Sequence, residues 1–190
     1  EARSILPPRI SIPLLELAKK NDTFPWLDYA YGYGLNNAVL MNKENYKDYK
    51  CYKTVRTFNG HDSEEGFINV HVAMVAQSGA LLQSQQNCLQ YIHENNRTDF
   101  NHSLQEHFST FYNIVDTLQT MWKASNFKDY LSFRTFIMGQ IGNDKCYPKE
   151  EIIFNKGQGD NYEYETHAYR GETGAQDSIV PSVDSFLQLS

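Results

Sequence analysis

Between residues 63 and 141, apolar side chains recur at three- and four-residue intervals, the spacing of helices that each bury one face. Phe67, Val70, His71, Met74, Val75, Leu81 and Leu82 form the first series, which predicts a single helix from Ser63 to about His93. Ser63 offers an N-cap, and Glu64 and Glu65 place negative charge at the positive end of the helix dipole. Residues 95–98 interrupt the pattern. Leu104, His107, Phe108, Phe111, Tyr112, Val115, Leu118 and Trp122 then read as one long apolar stripe on a helix over 99–125. A third helix, over 126–141, places Tyr130, Phe133, Arg134 and Ile137 on one side.

The flanking segments are less regular. Three prolines within 5–13 argue against a long helix there and predict an extended segment packed by Ile5, Leu6, Ile10 and Ile12. A short helix is expected over 14–20, starting on Pro13. Leu27, Tyr31, Leu35, Ala38 and Val39 suggest another over 25–42, although Gly32 and Gly34 weaken it. Residues 43–53 read as a polar loop, and the β-branched run 54–58 as a strand turning at Asn59-Gly60. Two short strands are expected at 151–155 and 162–166. A last helix is marked by Val180, Val183, Phe186 and Leu187, with Pro181 in its first turn. The expectation is a mainly α chain with small β elements, one domain over 1–190.

Composition narrows the classes of function. With 41% apolar and 14% aromatic residues, the 190-residue chain can build a sizeable core. A net charge of −6 argues against a nucleic-acid or anionic-membrane surface, and no run of apolar residues is long enough to span a bilayer. The three cysteines, Cys51, Cys88 and Cys146, are too scattered for a disulfide framework or a zinc site. Sequons at Asn21, Asn96 and Asn101 do not fix a compartment in an Asn-rich chain. The start at Glu1 without methionine reads as processed or truncated. Nucleophile-elbow, P-loop and zincin motifs are all missing, and the Gly157-Gln158-Gly159 run is too short to cradle a phosphate.

Three features could carry chemistry. His71 lies one turn from both Phe67 and Met74 on an apolar face, which suits either a hydrogen-bonded core histidine or an acid/base group in an apolar pocket. Arg134, between Phe133 and Thr135, either snorkels to solvent or faces inward and needs a carboxylate or an anionic ligand. The loop 171–178, with Gly171 and Gly174 either side of Thr173, suits close approach to a ligand or an ordinary helix start.

At these residues the chain resembles the indoleamine 2,3-dioxygenase family. Four segments follow in the family's order: LPPRISIPLLELAKK with PWLDYAYGYGLNN, TVRTFNGHDSEEGFINVHVAMVAQSG, FKDYLSFRTFIMGQIGN and YRGETGAQDSIVPSVDSFLQL. The resemblance implies a helical haem-dioxygenase-like large domain with small β elements, incomplete at both ends relative to the family. It implies haem b as cofactor and an indole-like aromatic and O₂ as substrates, as in N-formylkynurenine formation. Carried over by position, His71 stands at the distal side and Phe67 at the pocket wall. Tyr29 and Tyr130 are pocket aromatics, Arg134 clamps the substrate carboxylate, and Gly171, Thr173 and Gly174 form the loop over the cofactor. Asp129 occupies a position where the family pattern prefers an aromatic. The proximal histidine ligand is not in this chain, so a second chain or copy is expected to complete the fold. A relative that acts as an assembly subunit or as a small-molecule- or O₂-binding protein is the other reading of the same scaffold.

Overall fold

The structure, a computed structural model, describes residues 4–144, 146–157, 161–174 and 177–189. Residues 1–3 and Gln158 and Gly159 of the short glycine run lie outside them. The architecture is mainly helical with two small sheets, as the hydrophobic periodicity implies.

At the start, β1 (Ile5–Leu6) leads into α1 (Pro8–Lys20), so the helix expected from Pro13 begins five residues earlier. Pro7 is the cap and Pro8 the first helical residue, where no N–H partner is needed. Only Pro13, inside the helix, removes a backbone bond. Buried Ser11 strengthens this start by donating to the Leu6 carbonyl at 2.8 Å.

The helix expected over 25–42 does not form. A wide π-turn spans Tyr29–Gly34, a 3₁₀ turn spans Leu35–Asn37, and β2 (Ala38–Leu40) follows. Asp28 caps the turn, its Oδ1 accepting from the Tyr31 N–H at 2.8 Å, while its carbonyl accepts from both Gly32 and Tyr33. The turn buries Tyr29 and Tyr33 side by side, with ring centroids 5.6 Å apart. β2 pairs antiparallel with β3 (Tyr52–Thr54), Val39 opposite Lys53, so the strand expected at 54–58 lies earlier. The reason is local: the Arg56 N–H goes to the Asn37 side chain, and those of Phe58 and Asn59 go to Glu64, which leaves no ladder to extend.

The long first helix of the sequence is two helices, α2 (Asp62–Val75) and α3 (Ser78–His93). The apolar spacing runs on across the break, but Gln77 is buried there and donates to the Ala73 carbonyl and to Thr117 Oγ1. A side-chain amide thus fixes the joint to the neighbouring α4 (Arg97–Gln119). Ser63 is not the cap of α2 either. It sits in the first turn, accepts from the Asn126 N–H and donates to Asp129 Oδ2 at 2.6 Å. Those contacts hold the start of α6 (Phe127–Ile137) against α2, with the short α5 (Met121–Ala124) between α4 and α6. Asp129 therefore has a structural role in place of the aromatic expected by resemblance.

α2 is central and buried almost all round. One side packs into a core of Tyr29, Tyr33, Tyr52, Ile68, Ala73, Phe133 and Ile137. Its end joins a second core of Met74, Leu81, Ile114, Ile179 and Val183, where α3, α4 and α7 (Ile179–Leu187) meet. β4 (Ile152–Asn155) lies between β1, in parallel, and β5 (Tyr164–His167), antiparallel, close to the strands expected there. Pro181 does sit in the first turn of α7.

Candidate functional site

Two elements set the site: α2 presents Phe67 and His71 one turn apart, and α6 presents Tyr130 and Arg134 one turn apart. Tyr29, from the π-turn, lies under both pairs. Its ring centroid is 5.2 Å from that of His71 and 6.3 Å from that of Phe67. Phe67 meets Tyr130 at 5.3 Å, and the fully buried Phe133 supports both. Tyr29 and His71 form a buried floor, while Phe67, Tyr130 and Arg134 are half-buried at the rim.

Electrostatics tie the rim to the floor. Burial pushes the Tyr29 hydroxyl well above the ordinary phenol range, and the neighbouring Tyr130 adds to this. The Arg134 guanidinium opposes it and Asp177 adds to it. Arg134 is thus close enough to act on the Tyr29 hydroxyl. Among the described residues it has no ion pair with a carboxylate. A half-buried cation without an ion-pair partner among the described residues, beside aromatic faces, suits a carboxylate-bearing ligand.

Residues 171–174 reach the site after Gly139, two residues beyond the end of α6 and at φ +74°, turns the chain to pair with Arg170. The Gly171 N–H then donates to the Met138 carbonyl at 2.7 Å. Gly171 has no room for a Cβ because the backbone of Ile137 and Met138 lies there, so its close approach is to the protein itself. Gly174 is the glycine beside the site, where a Cβ would lie 3.6 Å from His71 Nε2 and 3.7 Å from the Tyr29 hydroxyl. Thr173 is exposed on the same loop.

Three further residues shape the site without having been singled out in the sequence. Glu172 Oε2 accepts from the Tyr29 N–H at 2.9 Å, locking the π-turn to the loop. Asp177 Oδ2 lies 3.0 Å from His71 Nε2, with both side chains buried. Glu64, fully buried, accepts from the Tyr33 hydroxyl and from the Phe58 and Asn59 N–H groups, fixing Tyr33 behind Tyr29. An inward histidine needs a hydrogen-bond partner, and that was the only sequence signal for Asp177. A separate cavity of about 740 Å³ between Trp26, Phe136 and Tyr169 has no charged lining among the described residues.

The residues fit one side of a haem pocket: aromatic faces, an inward imidazole and a rim cation. None of the five other histidines reaches His71. His107 lies on Ser84 and Phe186, His167 on Glu165 and Phe154, and His61, His93 and His102 are exposed. The described residues hold no cluster of three metal-ligating side chains and no helix long and apolar enough to cross a membrane.

The family model that matches this mainly helical chain is that of a haem-dioxygenase-type family. The chain belongs to the indoleamine 2,3-dioxygenase family, whose model matches residues 1–190. No curated protein matches it.

Proposed function

We propose that this chain forms the substrate-facing part of a haem-dependent dioxygenase that acts on an indole-like aromatic carrying a carboxylate. The observation behind this reading is Arg134, half-buried and without a carboxylate partner among the described residues, at the rim of the Tyr29–Phe67–Tyr130 aromatic group. In this reading Arg134 holds the carboxylate by a forked pair of hydrogen bonds, and Tyr130 and Phe67 offer ring faces to the indole. Buried Tyr29 keeps water from the floor, and His71 supplies the polar contact there. Phe67, His71 and the Gly174 side of the loop would line the haem, with Thr173 at its edge. Haem b, when bound, supplies the redox-active iron for dioxygen chemistry. A histidine ligand for the haem would come from outside the described residues.

Haemin titration of the purified protein tests the reading. A saturable Soret band, shifted when tryptophan is added, supports it. No band at any loading would overturn it for this chain.

A second reading, an assembly subunit, is favoured by one observation. Phe108, Tyr112, Trp122, Phe127 and Leu131 are all more than half exposed, which suits a surface covered by another polypeptide.

A further inference from the structure

The strongest unassigned feature is the buried contact between His71 and Asp177, which joins α2 to the loop before α7. We propose that Asp177 is a positioning residue for His71: the pair fixes the ring against the loop before α7 and keeps the proton of the neutral imidazole on Nε2. The proposal rests on the reading that His71 faces the ligand, and it deepens that reading by stating which nitrogen of the neutral ring carries the proton.

The geometry leaves little freedom. Only 7% of the His71 side chain and 2% of the Asp177 side chain are exposed, and Nε2 lies 3.0 Å from Oδ2. The other carboxylate oxygen is also committed: Oδ1 accepts from the Ile179 N–H at 2.7 Å, at the first residue of α7. The Asp177 N–H in turn reaches the Gly174 carbonyl at 3.3 Å. A carboxylate held by both oxygens can only accept, so the neutral imidazole carries its proton on Nε2. Nδ1 is then an acceptor, and it makes no hydrogen bond among the described residues. It lies toward Gly34 of the π-turn, where a Cβ would stand 3.7 Å away.

Capping of α7 alone would explain the Oδ1 contact but not the burial of a carboxylate against Nε2. Two substitutions separate the roles. Asp177→Asn keeps the size and leaves an oxygen to cap Ile179, but directs an N–H₂ toward Nε2, which must then become the acceptor. Asp177→Ser keeps the capping chemistry and removes the contact with His71. The measurement is the His71 tautomer, read from long-range ¹H–¹⁵N correlations in ¹⁵N-histidine-labelled protein without added ligand. A His71→Gln sample assigns the signals, and circular dichroism checks that each variant is folded.

The expected result is an Nε2–H imidazole in the parent protein, a reversal to Nδ1–H in Asp177→Asn, and exchange between both forms in Asp177→Ser. An Nδ1–H imidazole in the parent, or an unchanged tautomer in a folded Asp177→Asn, overturns the proposal. Haemin titration answers a different question, so a missing Soret band with the tautomer reversed would reject the catalytic reading and leave the positioning role intact.

Discussion

Arg134 and the two buried tyrosines give the residue scale its clearest expectations. If Arg134 binds a carboxylate, Arg134→Ala weakens tryptophan binding by roughly 10- to 100-fold, the usual cost of losing a hydrogen bond to a charged group. Indole, which has no carboxylate, should bind both proteins alike. Equal losses for the two ligands in parallel calorimetric titrations would remove the clamp role. Tyr29 and Tyr33 make a pH prediction. Burial raises both hydroxyls far above their ordinary value, and for Tyr33 the charge of Glu64 adds to it. A phenol whose folded pKa is raised stabilises the fold fully below its unfolded value and ceases to as pH climbs beyond it. Above about pH 10, each ring should therefore cost up to about 1.4 kcal/mol of stability per pH unit. Urea melts from pH 8 to 11 test this, and a flat profile to pH 11 would contradict the burial. At this scale the four-residue spacing set Phe67 with His71, and Tyr130 with Arg134, on one helix face each, while their place in a pocket was implied only by the family resemblance. It could not show Asp177, which is 106 residues from His71 and meets it only through the tertiary fold.

At the scale of elements, glycines give opposite signs that helix propensity alone does not predict. Gly66 lies where α2 crosses α5, and a Cβ there would run into the Ala124 carbonyl. Gly66→Ala gains roughly 1 kcal/mol of helix propensity but forces two backbones apart, for a net loss of about 1–3 kcal/mol. Gly79, in the first turn of α3, has nothing near its Cβ position, so Gly79→Ala should stabilise by about 0.5 kcal/mol. Denaturant midpoints of the two variants, moving in opposite directions, check the α2–α5 contact. The same contrast explains what the sequence revealed of the elements. α4 and α6 follow apolar spacing that their own residues set. The joint at Gln77 has no proline at all, and its nearest glycine, Gly79, lies inside α3. The π-turn at Tyr29 depends on Glu172 from a distant loop. Where a partner far along the chain decides the backbone, local pattern is silent.

For the whole molecule, α4 matters most. Its apolar residues, which look like one stripe in the sequence, separate into two. His107 and Ile114 are buried, with Phe111 between them half-buried against α3 and α7. Leu104, Phe108 and Tyr112 lie a quarter turn away and are 38%, 59% and 55% exposed. Trp122 at 84%, and Phe127 and Leu131 at 72% each, add to the apolar surface on the following helices. Phe108 and Tyr112 pack edge to face on each other, with centroids 4.7 Å apart. A soluble monomer seldom leaves an apolar patch beyond a few hundred Å² uncovered, and a stable interface buries about 800 Å² on each side. We therefore expect the purified chain to associate, with a second copy or with another polypeptide. Light scattering during size-exclusion chromatography should give a mass above 22.0 kDa. Phe108→Ser with Trp122→Ser should return it to the monomer mass without loss of helical circular dichroism, because neither side chain is part of either core. A parent protein that runs as a 22.0 kDa monomer and binds no hydrophobic dye would show that the outer stripe needs no cover, and the assembly reading would fail with it.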